Sequence, residues 1–231
     1  QSRGLGDVYK RQDAYALYET LSGQRERYPE PFYGACMNLL GSHDTQRILS
    51  CLSDAPPKDT LTREQQAEYQ YKPEAVVRGK RRLYAAFALM FSMPQPPCIY
   101  YGDEAGMMGL SDPFNRGSYP WGREDPEIRS FVMRLSALRR RNAAMSSGKT
   151  AFAAPCADAF AVLRCRGEES ALTLVNRADH AVCAALGAED FREGPDALNV
   201  RTADKYSDAF ADGTVLQKDL GTGHILSLIH I

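Results

Sequence analysis

The chain has 231 residues, 44% of them hydrophobic and 25% charged, and its formal net charge is −1. That is an ordinary globular composition, long enough for one large domain or two smaller ones. The near-zero charge gives no electrostatic case for nucleic acid or an anionic membrane, and no run of about 18 apolar residues is present to span a bilayer.

Residues 1–12 carry no periodicity, no initiating Met and no signal-peptide pattern, and they read as a foreign-looking tail on the later part of something longer. Asp13 is an N-cap for a helix in which Leu17 and Leu21 share a face, and Pro29 stops it. Tyr28-Pro29-Glu30-Pro31 then reads as an extended connector into an apolar strand ending near Gly41. The segment after Arg47 is polar, and its Thr62-x-x-Gln65 fits a capping box, which predicts a short exposed helix. Pro73 opens a longer helix to about Ser92, where Val76, Leu83, Phe87 and Met90 form an apolar stripe that Lys80 also falls on.

Pro94, Pro96 and Pro97 end that helix, and Cys98-Ile99-Tyr100-Tyr101 forms a second short strand closed by Gly102-Asp103-Glu104. After a loop to about Glu124, Asp125-Pro126-Glu127 combines a cap, a proline at the first helical position and a dipole-favoured acid. Ile128, Phe131, Val132, Leu135 and Leu138 give that helix its buried face, and Arg139-Arg140-Arg141 reads as its solvated end. Strand, loop, helix, strand, loop, helix is the order of two βα units in a parallel sheet.

Past Ser146 the pattern shortens. Residues 160–165 and 171–175 are strands flanking a hairpin loop at 166–170, and 182–186 and 215–220 are weaker candidates, the last after an Asp212-Gly213 turn. A small antiparallel β domain is therefore expected over 147–226, behind an α/β part at 13–146. The apolar end at 227–231 reads as a second foreign-looking tail.

The chemistry gathers at Asn38-Leu39-Leu40-Gly41-Ser42-His43-Asp44-Thr45-Gln46-Arg47. A short apolar run closed by turn residues suits a strand buried on both faces, and α/β proteins gather their ligand loops where such strands end. A His-Asp pair there serves either as a turn and helix cap or as a functional pair. The six cysteines are widely spaced, without a C-x-x-C or a His-bracketed zinc pattern, so no metal or cofactor is expected. Reduced, buried thiols are the expectation, and they lean towards a cytoplasmic location.

Three segments in series resemble the α-amylase family of glycoside hydrolases, nearest its neopullulanase and cyclomaltodextrinase group. They are Asn38 to Thr45, Pro97-Cys98-Ile99-Tyr100-Tyr101-Gly102-Asp103-Glu104, and Asp112-Pro113-Phe114-Asn115-Arg116 leading to Pro120-Trp121. The resemblance implies a (β/α)8 TIM barrel, of which 13–146 supply strands seven and eight, followed by a C-terminal antiparallel β-sandwich. Eight such units need about 250 residues, so the first six strands, with the nucleophile and the general acid, are expected outside this chain. The missing barrel half is then the main protein partner, and the 231 residues alone are expected to be inactive.

Family members act by retention on α-1,4 bonds, and in some cases α-1,6 bonds, of maltooligosaccharides, cyclodextrins or pullulan. The resemblance makes Asp44 the acid that stabilises the transition state and His43 its sugar-binding neighbour. Arg47, one turn beyond His43 if a helix starts at Asp44, either faces the cleft or is structural. Asp112 and Arg116 match a family pair that binds a sugar further along the glucan, or else hold their loop as an ion pair. Tyr101 belongs beside the sugar site, Asp103-Glu104 reads as structural, and Trp121 either stacks on a sugar face or, as a lone Trp after a loop more often does, anchors a core. The rival readings are a non-catalytic carbohydrate-binding protein, for which Tyr206 alone is left as an exposed aromatic on the β domain because Phe160 and Phe210 read as buried, and an amylase-like ancillary protein.

Overall fold

A computed structural model describes residues 13–57, 60–167, 169–178, 180, 182–186, 188–191, 215–218 and 225–229. Helix α1 (Ala14–Arg27) starts where Asp13 Oδ1 accepts the backbone N–H of Ala16, and it ends at Tyr28. The expected extended connector is instead a second short helix, α2 (Glu30–Ala35), with Pro31 at its start. Proline is pre-set for a first helical turn, so Pro29 ends one helix while Pro31 opens the next.

Strand β1 (Asn38–Leu39) and β2 (Pro97–Cys98) pair in parallel, Asn38 opposite Pro97 and Leu39 opposite Cys98. Between them lie α3 (Ile48–Leu52), α4 (Arg63–Ala67) and the long α5 (Pro73–Ser92). The Thr62–Gln65 capping box forms in full at the start of α4. After β2 come a 3-10 turn at Phe114–Arg116, α6 (Pro126–Arg141) and α7 (Ala143–Ser147). The strands then run β3 (Lys149–Cys156), β4 (Ala159–Arg166), β5 (Glu169–Asn176), β6 (Val182–Leu186), β7 (Val215–Lys218) and β8 (Ile225–Ile229).

Two compact units emerge. The first joins residues 37–90 to 97–136. On α5, Leu83, Phe87 and Met90 are at most 2% exposed, each burial contributing roughly 1.5–3 kcal/mol. Gly79 lies on the same face, and a Cβ there would stand 2.1 Å from Ser53 Oγ, so the helix interior carries glycine where the chain comes closest. Lys80, the one charge on the stripe, ends 2.5 Å from Oδ2 of Asp125. Asp125 also caps α6, its Oδ1 accepting the N–H groups of Glu127 and Ile128. The strand expected to be buried on both faces is not so: Leu39 is 37% exposed, because β1 pairs with β2 alone among the described strands.

The second unit takes in residues 12–36, 91–96 and 137–231, a division that does not follow the expected boundary at 146/147. Long-range bonds explain the grouping of α1 with the strands. The Ala14 N–H donates to Ala157 O at 2.8 Å and Arg25 Nη1 to Thr150 O at 2.7 Å. One sheet runs β3-β4-β5 and the other β6-β8-β7, all antiparallel. Leu186 and Phe191 pack with Ala151, Ala153, Ala161 and Leu163 in one core. β3 was not foreseen, since its alanine-rich run Lys-Thr-Ala-Phe-Ala-Ala-Pro-Cys shows little alternation. The hairpin is tighter than expected, with Arg166 opposite Glu169 and Gly167 at φ 61°. β8 takes in residues 227–229, which the sequence reading had placed in a tail. Residues 1–12, the Asp212-Gly213 turn, Tyr206 and Phe210 lie outside the described residues.

Arg139 departs from the expected solvated helix end. Its guanidinium donates to the carbonyls of Phe91, Met93, Pro94 and Gln95, and so caps the closing turn of α5. The five described cysteines form no disulfide, and they are not buried as expected. Cys36 is exposed, and Cys51, Cys98, Cys156 and Cys165 are half-buried. No described helix is long and apolar enough to cross a membrane.

Candidate functional site

The site lies within the first unit, where the turn after β1 meets the loop after β2. No helix starts at Asp44, the condition under which Arg47 would face the cleft with His43. Residues 43–47 make a turn in which Thr45 N–H donates to Ser42 O and Asp44 N–H to Ser42 Oγ, and α3 begins only at Ile48. Both polar side chains consequently stand outward. His43 Nε2 lies 3.2 Å from Asp44 Oδ1, with the two side chains 64% and 73% exposed.

Beneath them is a residue that the sequence did not single out. Asn115 is 1% exposed, and its Nδ2 donates to the carbonyls of His43 (2.8 Å) and Thr45 (2.7 Å). One amide thus holds the backbone on both sides of Asp44. The only cue in the sequence was that Asn115 lies between Asp112 and Arg116, whose side chains drew the attention. Arg116 adds a third tie, its Nε–H donating to His43 O at 3.3 Å while Nε lies 3.0 Å from Asp112 Oδ1 in an ion pair. Its Nη2 stands 3.9 Å from Asp44 Oδ1. The structure therefore brings His43, Asp44, Asp112 and Arg116 together in one exposed cluster of two acids, an imidazole and a guanidinium. The Asp112–Pro113 peptide is cis.

Arg47 is placed differently. It is 1% exposed, and its Nη1 donates to Tyr101 O and, at 3.1 Å, to Asp103 Oδ1. Its guanidinium carbon also lies 4.3 Å and 4.7 Å from the ring centres of Tyr100 and Tyr101, within cation–π range. Such a side chain has no free face for a sugar, so the structural alternative for Arg47 is the one its geometry supports. Asp103 is 2% exposed, and burial pushes its carboxyl up to about 6, although Arg47 pulls it the other way. Gly41 belongs to the same arrangement, since a Cβ there would stand 2.5 Å from Asp103 Oδ2. Glu104 Oε2 accepts the Gly102 N–H.

Tyr101 is 41% exposed and its hydroxyl donates to Gly117 O at 2.9 Å, tying the end of the second strand pattern to the loop that carries Arg116. Trp121 corrects the expectation of a core anchor. It is 81% exposed, with its ring centre 4.6 Å from that of Tyr119. The two rings meet at a tilt of 51°. No cluster of three or more metal-ligating side chains occurs among the described residues.

No family model matches the chain. An amylopullulanase of Thermoanaerobacter thermohydrosulfuricus is 40% identical over 136 residues, which are 59% of this chain and 9% of that protein. A cyclomaltodextrinase of Geobacillus thermopakistaniensis is 30% identical over 159 residues, 67% of this chain and 23% of the relative. Among solved structures, the cyclic α-maltosyl-(1→6)-maltose hydrolase of Arthrobacter globiformis in complex with cyclic α-maltosyl-(1→6)-maltose superposes with a TM-score of 0.60 at 29% identity. That match covers 78% of this chain and 36% of the hydrolase. A solved cyclomaltodextrinase matches 99% of this chain and 34% of its own, with a TM-score of 0.70 and 22% identity, which shows a shared fold. This chain thus spans between a tenth and about a third of the length of these proteins.

Proposed function

We propose that this chain, a relative of the α-amylase-family glycosidases by sequence and by fold, supplies the seventh- and eighth-strand rim of a retaining α-glucosidase barrel and the β domain that follows it in sequence. The observation that carries the reading is the exposed His43–Asp44 pair, held from below by Asn115 and Arg116. The substrate class is α-1,4-linked glucan: maltooligosaccharides, cyclodextrins or pullulan, with α-1,6 bonds as a second target. Transglycosylation to a sugar acceptor belongs to the same chemistry.

In a retaining glycosidase one carboxylate attacks the anomeric carbon while a second carboxylic acid protonates the departing oxygen. The ring passes through a flattened, oxocarbenium-like state that carries positive charge. A third carboxylate that meets the ring hydroxyls only in that flattened shape lowers the barrier, because it binds the transition state more tightly than the ground state. Asp44 fits this third role. Its backbone is tied on both sides by one amide, so little reorganisation is left to perform during reaction. His43 donates to the same sugar, and Asp112 with Arg116 offers one acceptor and one donor to a neighbouring glucose. Arg47 works through Tyr101 and Asp103 and does not touch sugar in this reading.

The nucleophile and general acid are assigned to the six-strand partner segment, so residues 1–231 alone should not turn over substrate. The decisive experiment is Asp44→Asn in an active glycosidase that carries this segment. kcat/KM for maltotriose should fall by about 10²–10³-fold, the range for losing one preorganised electrostatic contact, with Tm unchanged. Activity within a factor of two of the parent would overturn the role. A second reading, glucan binding without catalysis, is favoured by one observation, the exposed Trp121–Tyr119 pair that could stack on a sugar face. It predicts that Asp44→Asn leaves binding to starch intact and that no active protein contains this segment. Free thiols accord with a reducing, cytoplasmic compartment.

A further inference from the structure

Arg47 stands three residues after Asp44, where the exposed turn gives way to α3. Its backbone and its side chain both reach across to the segment after β2. The N–H donates to Gly109 O at 3.0 Å, while the carbonyl accepts the Cys51 N–H in the first turn of α3. The guanidinium donates to Tyr101 O and Asp103 Oδ1 and lies over the rings of Tyr100 and Tyr101. One residue thus fastens the turn that carries Asp44 to the segment that carries Asp112 and Arg116.

The fastening leaves little slack. A Cβ on Gly41 would stand 2.5 Å from Asp103 Oδ2, and one on Gly109 would stand 2.2 Å from Phe114 O. The Gly109 N–H also donates to Ser50 Oγ of α3 at 2.8 Å. Asn115 holds the turn at His43 and Thr45, and Arg47 holds the end of it that enters α3. Asp44 is thereby suspended between two anchors, with its side chain in solvent.

Stability does not account for the arrangement. A buried ion pair contributes about as much as apolar side chains of similar volume, or less. Arg47 Nε and Nη2 are also buried without a hydrogen-bond partner among the described residues, which is unfavourable. What the guanidinium supplies is direction. Its rigid, planar shape suits one relation between the two segments and few others. Catalysis is sensitive to such a relation, since misplacing a reacting group by about 1 Å can cost about 10²-fold in rate.

We propose that Arg47 is a positioning residue for Asp44, setting where its carboxylate meets the sugar without touching sugar itself. This rests on the glycosidase reading of Asp44. The test compares four forms of an active glycosidase that carries this segment: the parent, Arg47→Lys, Asp44→Asn and the double variant. Lysine keeps a positive charge for Asp103 but lacks the planar group that lies over the two rings. Arg47→Lys should lower kcat for maltotriose by about 10–10²-fold, with KM changed less than about twofold. In the Asp44→Asn background the same change should lower kcat less than about twofold, because residues that act as one unit are not additive. A loss confined to KM, an unchanged kcat, or the same fall in both backgrounds overturns the proposal. A neutral Asp44→Asn overturns the glycosidase role of Asp44, and this inference with it. Asp103→Asn, which keeps an oxygen for Arg47, is the second variant where circular dichroism shows that Arg47→Lys does not fold. The same fall in kcat and the same loss of additivity are required of it.

Discussion

Two sets of acidic and basic side chains lie within a few residues of each other in the first unit, and they have opposite surroundings. The rim set, His43, Asp44, Asp112 and Arg116, is between 45% and 73% exposed. The set beneath it, Arg47 and Asp103, is at most 2% exposed. In the rim set, water screens each pair, so the ion pairs contribute little to stability and the groups stay available to a ligand. In the buried set the same chemistry is desolvated, strongly coupled and closed to any ligand. Position relative to solvent, and not residue type, divides binding from support.

The comparison breaks most visibly at Arg47. Arg47→Met should leave the Asp103 carboxylate buried without its partner and lower the unfolding free energy by about 3–5 kcal/mol at pH 8, as read by urea denaturation. A loss below about 1 kcal/mol would put Arg47 among the weakly coupled rim charges.

The next effect is a pH dependence with an unusual sign. Burial pushes the Asp103 carboxyl from 3.8 up to about 6 in the folded protein. Between those values the folded state binds more protons than the unfolded state, so this group's contribution to stability rises as pH falls from about 7 towards 4. At about 1.4 kcal/mol per unit the contribution amounts to about 3 kcal/mol. Denaturation midpoints from pH 8 to pH 4 should show this component in the parent and lose it in Asp103→Asn. The destabilisation by Arg47→Met should shrink over the same interval, because the orphaned carboxyl takes up a proton. An identical pH profile in parent and Asp103→Asn would remove the buried pair from the comparison.

Asn115 holds the backbone of the rim set, and its removal is the mildest of the three changes. Asn115→Ala frees the carbonyls of His43 and Thr45 and should cost about 1–3 kcal/mol in stability. In an active enzyme it should lower kcat more than it raises KM, since a looser Asp44 loses transition-state contacts first. Rescue by Asn115→Asp is not expected, because a carboxylate cannot donate to the two carbonyls.

Much of the local structure was legible in the sequence because its causes are local. Asp13, the Thr62–Gln65 box and Asp125 cap helices through bonds spanning two or three residues. The three-segment resemblance likewise pointed to the relatives that the comparisons found. What misled was solvent exposure. Trp121 was expected in a core and is exposed, and Arg139 was expected in solvent and caps a helix end through four carbonyls. Neither outcome has a signature in nearby residues.

The amino-acid order by itself determined helices α1, α4, α5 and α6, the caps of α1, α4 and α6, the strand-turn pattern around His43 and Asp44, and the glucan-hydrolase likeness, because periodicity and side-chain-to-backbone bonds act within a few positions. Only the tertiary structure decided that Arg47 meets Asp103 across 56 positions and that Asn115 holds the backbone around Asp44 across about 70. The reason is physical: burial and electrostatic coupling depend on distances through space, and those are set when remote segments pack together.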